Sequence, residues 1–100
     1  MRHYRLTRAA GRALEDIGNY IGEQSGDPER GAVFVARLRA QCEKLAALPG
    51  SIGRPRPDLG AGVRSFVHDN YVIVFRYETD TIDILTVVHV RRDRPAARAR

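Results

Sequence analysis

The chain has 100 residues, 43% of them hydrophobic and 29% charged, with a formal net charge of +5 at pH 7. This length predicts one compact domain with a single core. No apolar run approaches the roughly 18 residues of a membrane span, and the N-terminus has no signal-peptide block. The single cysteine excludes an internal disulfide, so we expect a cytoplasmic protein.

The beginning of the chain predicts a short strand and a first helix. Polar and apolar side chains alternate over residues 3–6, which is typical of a strand. Thr7 is a suitable N-cap for the helix that follows. The apolar side chains of this helix recur at helical spacing and form one stripe: Ala10, Ala13, Leu14, Ile17, Tyr20 and Ile21.

A second helix is predicted after a break at residues 25–26. Asp27 and Pro28 suit the N-cap and the first turn, and Pro49 ends the helix. Because the break is short, the two helices should form an antiparallel hairpin that also covers a sheet. The apolar stripe of the second helix consists of Val35, Leu38, Cys42 and Leu45.

The remainder predicts an irregular connection and three strands. Residues 49–62 contain four glycines and three prolines, which favours a surface loop. Strand-like runs follow at residues 63–68, 71–78 and 81–90, and their short connections can join only antiparallel neighbours. The order is β-α-α-β-β-β, an α+β fold with a helical hairpin packed on an antiparallel sheet. Strict alternation in the last run places on one face Ile82, Ile84, Thr86, Val88 and Val90.

Positive charge is concentrated in two places. The last ten residues contain five arginines and one aspartate, so we divide the chain into a domain of residues 1–94 and a basic tail of residues 95–100. A second basic group consists of Arg54, Arg56 and Arg64. Such clusters favour an anionic partner, either nucleic acid or an acidic protein segment. A solubilising role explains the tail equally well, since the chain has 16 arginines and one lysine.

Two of these regions have a more specific interpretation. Arg64 opens a strand after two glycines, where its side chain can emerge at a sheet edge. The alternative is a structural ion pair with Asp58 or Glu78. Residues 91–94 follow the end of the apolar alternation and precede Pro95, which predicts an extended and accessible segment.

Several segments in succession resemble the ParE branch of the RelE/ParE toxins of bacterial toxin–antitoxin pairs. They are YRLTRAAGRALEDIGNYI, ALPGSIGRPRPDL, Gly62-Val63-Arg64, YVIVFRY and ILTVVHVRRD, which together span residues 4–93. The resemblance implies a toxin that arrests growth by poisoning DNA gyrase in its DNA-cleaved state. It also implies neutralisation by a ParD-like antitoxin in a hetero-oligomeric complex.

The RelE branch of the same superfamily consists of ribosome-dependent mRNA endoribonucleases. The resemblance implies that such enzymes place lysines and arginines on the inner strands and a tyrosine or histidine near the C-terminus. Here the matching positions are Val63, Ser65 and Val72, and no tyrosine follows Tyr77. We therefore expect no catalytic residues, although substitutes are available in Arg64, Arg76, His89 and Arg91. A RelE-type ribonuclease and a non-toxic protein-binding module remain the alternatives.

These considerations give two sets of candidate contact residues. The candidates for target contact are Arg54, Arg56, Arg64, His89, Arg91, Arg92 and Arg94. The candidates for antitoxin contact are Leu14, Ile17, Tyr20, Ile21, Val35 and Leu38. We predict no metal site, because the three histidines have no metal-ligand spacing and Cys42 lies on an apolar stripe. We also predict no cofactor, small-molecule substrate or membrane contact.

Overall fold

The computed structural model describes residues 2–93, which form two helices on one face of a five-stranded sheet. The strands are β1 (His3–Leu6), β2 (Arg54–Pro55), β3 (Val63–His68), β4 (Tyr71–Tyr77) and β5 (Thr81–His89), and the helices are α1 (Arg8–Ser25) and α2 (Pro28–Ala47). The sheet order is β1-β5-β4-β3-β2. None of the helices among residues 2–93 is long and apolar enough to cross a membrane.

The predicted helix boundaries are confirmed by the cap geometry. The Thr7 hydroxyl accepts a hydrogen bond from Ala10 N at the start of α1 and donates one to Ile84 O of β5. Gly26 ends α1 with a φ of 69°, a left-handed conformation that glycine adopts without strain. The Asp27 side chain then accepts a hydrogen bond from the first turn of α2.

The two helices approach each other closely through glycines. Gly31 of α2 is buried, and a Cβ atom added to it would lie 2.1 Å from the backbone oxygen of Gly18 in α1. Gly22, one turn further along α1, lies on the same side. The absence of side chains at Gly18 and Gly31 therefore sets the separation of the hairpin.

The α+β prediction is confirmed, but the sheet is mixed rather than wholly antiparallel. β1 pairs with β5 in parallel, from His3 opposite Thr81 to Leu6 opposite Ile84. A parallel pair needs a long crossover connection, which the helical hairpin and the following strands provide. β2 is a further difference, because Arg54–Pro55 lies in the segment predicted to be irregular and pairs with β3. Proline is compatible with such an edge position.

A β-bulge in β5 overturns the predicted strict alternation. Phe75 of β4 pairs with Ile84, but Val74 pairs with Thr86, so that Leu85 is an extra residue. Beyond the bulge, the side chains exchange faces. Val87 belongs to the cluster beneath the helices, whereas Val88 and Val90 pack against the cluster on the opposite face.

The sheet consequently has apolar clusters on both faces. The larger one, beneath the helices, includes Leu14, Ile17, Leu38, Cys42, Leu45, Ile73, Phe75, Ile82 and Ile84. The outer cluster consists of Val63, Val72 and Val74, and Leu59, Leu85, Val88 and Val90 pack against it. Leu85 and Val88 belong to β5 itself, Leu59 to the loop before β3 and Val90 to the turn after β5. Both faces of the central strand β4 are thus removed from water.

Candidate functional site

A groove of about 1140 Å³ opens where α1 and α2 face the β3–β4 turn and the end of β5. Aromatic rings from three elements line it, namely Tyr20, Phe34 and Tyr71. Arg91 and Arg92 lie at its edge together with the carboxylates of Asp16 and Asp69. We call this site the aromatic groove; it combines aromatic and aliphatic side chains with charged ones.

His89 links the aromatic groove to the segment that follows β5. Its ring lies edge-on to Tyr71 at a centroid distance of 5.3 Å, and Tyr71 in turn contacts Phe34 at 5.3 Å. The His89 Nδ1 atom accepts a hydrogen bond of 3.2 Å from Arg91 N. His89 therefore orients the backbone that follows it, and one of its two ring nitrogens is already engaged.

The segment after His89 is a short 3₁₀ turn, Val90–Arg92, and not the extended segment predicted. The backbone hydrogen bond from Asp93 N to Val90 O, 3.2 Å long, closes this turn together with the His89 cap. Arg91 and Arg92 are both exposed on it. Arg94 and the predicted tail of residues 95–100 lie outside the described residues.

Arg56, predicted as a target contact, is not accessible in this structure, because its side chain is 1% exposed. The guanidinium forms ion pairs with Asp58 at 2.8 Å and with Asp93 at 2.6 Å. These partners raise the pKa of Arg56, so it remains charged. The spacing of Arg56 and Asp58 offered a signal for this structural role, although Asp58 was proposed as a partner for Arg64. No local sequence signal indicated Asp93 as a partner, because it lies 37 residues away from Arg56.

Arg64 also has a structural role, with partners other than those predicted. Its Nε donates to Ile52 O at 3.0 Å and its Nη2 donates to Gly53 O at 2.8 Å. It thus holds the loop before β2 by backbone contacts and forms neither predicted ion pair. Of the second basic group, only Arg54 is exposed.

The predicted antitoxin contacts divide into core and surface residues. Leu14, Ile17 and Leu38 are 2%, 8% and 0% exposed, because the helical stripes are already covered by the sheet. These three predicted contacts are therefore not accessible on the surface of this fold. Tyr20 is 59% exposed, and Ile21 and Val35 are half-buried, so these three remain accessible.

The strand positions that match the RelE-type catalytic region lie on the outer face. Val63, Ser65 and Val72 are 3%, 7% and 3% exposed. Arg56 is the buried cation beside them, and its Nη1 lies 3.4 Å from Ser65 Oγ. Among residues 2–93, no group of three or more histidines, cysteines or carboxylates is arranged to hold a metal ion.

Comparisons with known proteins agree with the fold and the sequence pattern. Residues 4–94 match the family described as ParE toxin of type II toxin-antitoxin system, parDE. Toxin ParE1 of Caulobacter vibrioides is 35% identical over 89 residues, which are 89% of this chain and 90% of that protein. A solved chain of the chromosomal ParDE toxin–antitoxin system from P. aeruginosa is 25% identical, with a TM-score of 0.77 over 89% of this chain and 96% of its own. This chain therefore belongs to the ParE toxin family of type II toxin–antitoxin systems.

Proposed function

We propose that this ParE-family toxin acts in the cytoplasm, where it arrests growth by poisoning DNA gyrase and is neutralised by a ParD-like antitoxin. The proposal combines family membership with one structural observation, the apolar character of the outer sheet face. Gyrase poisoning means that the toxin stabilises the state of gyrase in which DNA is cut. The toxin itself needs no catalytic group for this action.

The outer face favours gyrase poisoning over RNA cleavage. Cleavage of RNA through its 2′-hydroxyl needs side chains that transfer protons and stabilise a charged phosphate. On this face, the valines at positions 63, 72 and 74 form a buried cluster, and Leu59 and Val90 pack against it. Arg56 is engaged by two carboxylates there. An RNA phosphate would have to displace these carboxylates to reach Arg56.

Exposed arginines are the best candidates for contact with gyrase or its DNA. Arg91 and Arg92 project from a short turn that is fixed on both sides, and Arg54 is exposed on the edge strand β2. Each desolvated arginine contact with a phosphate or carboxylate could contribute on the order of 1 to 3 kcal/mol. Arg91 and Arg92 also line the aromatic groove, so the proposed target contacts lie beside a surface that an antitoxin could cover.

The aromatic groove is the proposed antitoxin contact. Tyr20 and Ile21 of α1 line this groove, and so do Arg91 and Arg92 of the turn after β5. A segment that contains apolar anchors and acidic residues, and that folds as it binds, suits such a surface. An antitoxin bound there would cover the two arginines and so block their contact with the target.

The test is expression of the chain in bacteria with and without a ParD-like protein, combined with a supercoiling assay on purified gyrase. The expected results are growth arrest with filamentation and a DNA-damage response, inhibition of supercoiling, and accumulation of cut DNA. Coexpression of the antitoxin should restore growth.

Two outcomes would contradict this proposal. Cleavage of ribosome-bound messages by the purified protein, with gyrase unaffected, would favour the RelE-type ribonuclease. Unimpaired growth at high expression of the folded chain would favour a non-toxic binding module.

A variant in which Tyr20 is replaced by aspartate should arrest growth but resist neutralisation by the antitoxin. This result would separate the antitoxin contact from the target contact.

A further inference from the structure

Arg56 is a buried arginine that joins two distant parts of the chain. Its Nη1 and Nη2 donate to the two carboxylate oxygens of Asp93 at 2.6 and 2.9 Å. Its Nε and Nη2 donate to the two oxygens of Asp58 at 3.0 and 2.8 Å. Two edges of the planar guanidinium thus hold one carboxylate each, an arrangement that lysine could not reproduce.

The two carboxylates have different positions in the fold. Asp58 belongs to the same loop as Arg56, two residues further on, and this loop is already tied to β3 by the 2.8 Å hydrogen bond from Arg56 N to Val63 O. Asp93 follows the 3₁₀ turn after β5. The pair of Arg56 with Asp93 is therefore a link between the loop and the C-terminal segment, whereas the pair with Asp58 is local.

The link to Asp93 lies at one end of the exposed arginines. Before them, His89 accepts the hydrogen bond from Arg91 N. After them, Asp93 is held on Arg56 and its side chain is 10% exposed. Arg91 and Arg92 are thus exposed between two fixed points.

We propose that the Arg56–Asp93 pair positions Arg91 and Arg92 for contact with the target of the toxin. Asp93 is then a positioning residue, while Asp58 neutralises the same buried charge without positioning the segment. The inference rests on the proposed function in one respect, since it takes the C-terminal arginines as target contacts. Asp93 thus has a role in toxicity although it is an acidic residue in a segment of arginines.

The experiment compares Asp93→Asn with Asp58→Asn in the full chain. Each variant leaves one carboxylate on Arg56, so both should fold, as checked by circular dichroism and thermal unfolding. Trypsin should cut after Arg91 and Arg92 faster in Asp93→Asn than in the parent or in Asp58→Asn, as followed by mass spectrometry. Growth arrest, compared at equal toxin levels, should weaken about tenfold to a hundredfold in Asp93→Asn, the range expected for one charge-assisted contact. Asp58→Asn should arrest growth like the parent.

The outcomes separate this inference from the proposed function. Equal tryptic protection and equal growth arrest in the two variants would overturn the positioning role. If the parent has no effect on gyrase but growth arrest still separates the two variants, the gyrase proposal fails and the positioning role stands. If Asp93→Asn does not fold, Asp93→Glu replaces it, because the longer side chain keeps the charge but displaces the segment. A folded Asp93→Glu chain with unchanged growth arrest would then overturn the inference.

Discussion

Replacement of Gly31 by alanine tests the close approach of α1 and α2. A Cβ atom at this position would lie 2.1 Å from Gly18 O, 2.9 Å from Gly18 C and 3.2 Å from Gly22 N. All three are backbone atoms, so no side-chain rotation can relieve the contact. The helices would have to separate, and the packing of the hairpin would be lost locally.

Two opposing terms determine the size of the effect. Overpacking of a close-packed site costs typically about 1 to 3 kcal/mol, and we expect the upper end here because the obstacle is backbone. Alanine in a helix interior is favoured over glycine by about 1 kcal/mol. The net loss is then about 2 kcal/mol, which corresponds to a decrease in Tm of roughly 8 to 16 °C for a domain of this size.

Gly11→Ala is the matched control. Gly11 also lies within α1, but a Cβ atom added there meets nothing within 4 Å. Only the propensity term remains, so this variant should be more stable than the parent by up to about 1 kcal/mol. Thermal unfolding followed by circular dichroism measures both variants. The reasoning is refuted if Gly31→Ala unfolds at or above the temperature of the parent.

Three further predictions concern charge and chemistry. Replacing Arg91, Arg92 and Arg94 with alanine should weaken growth arrest without changing the circular dichroism spectrum. The same change at the exposed Arg8, Arg12 and Arg37 should have little effect on growth arrest. Equal toxicity of the two triple variants would show that the C-terminal arginines are merely solubilising. Hydrogen bonds from Arg5 lower the pKa of Asp83 in the folded state, so the stability from this pair is present above the ordinary aspartate pKa of about 3.9 and is lost as the pH falls through the lower folded value. In acid, the Tm of the parent should therefore fall more steeply than that of Asp83→Asn, and parallel curves would contradict this. Burial raises the pKa of Cys42 to about 11, so a thiol reagent should label the native protein far more slowly than the denatured protein, and equal rates would show that the core is open.

The helices and most strand positions could be predicted from local sequence signals. Thr7 and Asp27 are caps whose side chains accept backbone hydrogen bonds within the first turn, and such contacts depend on a few neighbouring residues. The turns of the β3–β4–β5 meander are equally local. By contrast, the parallel pairing of β1 with β5 joins residues 78 positions apart, such as Arg5 and Asp83. No local pattern specifies that partner.

The candidate site was less predictable because exposure depends on tertiary contacts. Arg56 and Arg91 are both arginines in basic segments. Arg56 is nevertheless buried and paired with a carboxylate 37 positions away, whereas Arg91 is exposed. Similarly, Leu14 and Tyr20 belong to one predicted stripe, but the sheet covers only the first. The bulge at Leu85 could not be predicted from alternation either, because apolar residues occur on both faces of β5.

The position of β5 in the sheet has a consequence for the order of folding. β5 lies between β1 and β4, so it completes the sheet on both sides although it follows them in the chain. During synthesis, β1 emerges first but has no strand to pair with until residues 81–89 are available. The pairing is non-local, and such contacts slow folding because a long loop must close before they form. We expect shortened nascent chains to lack the assembled sheet, so that the toxin surface forms only when β5 has been made.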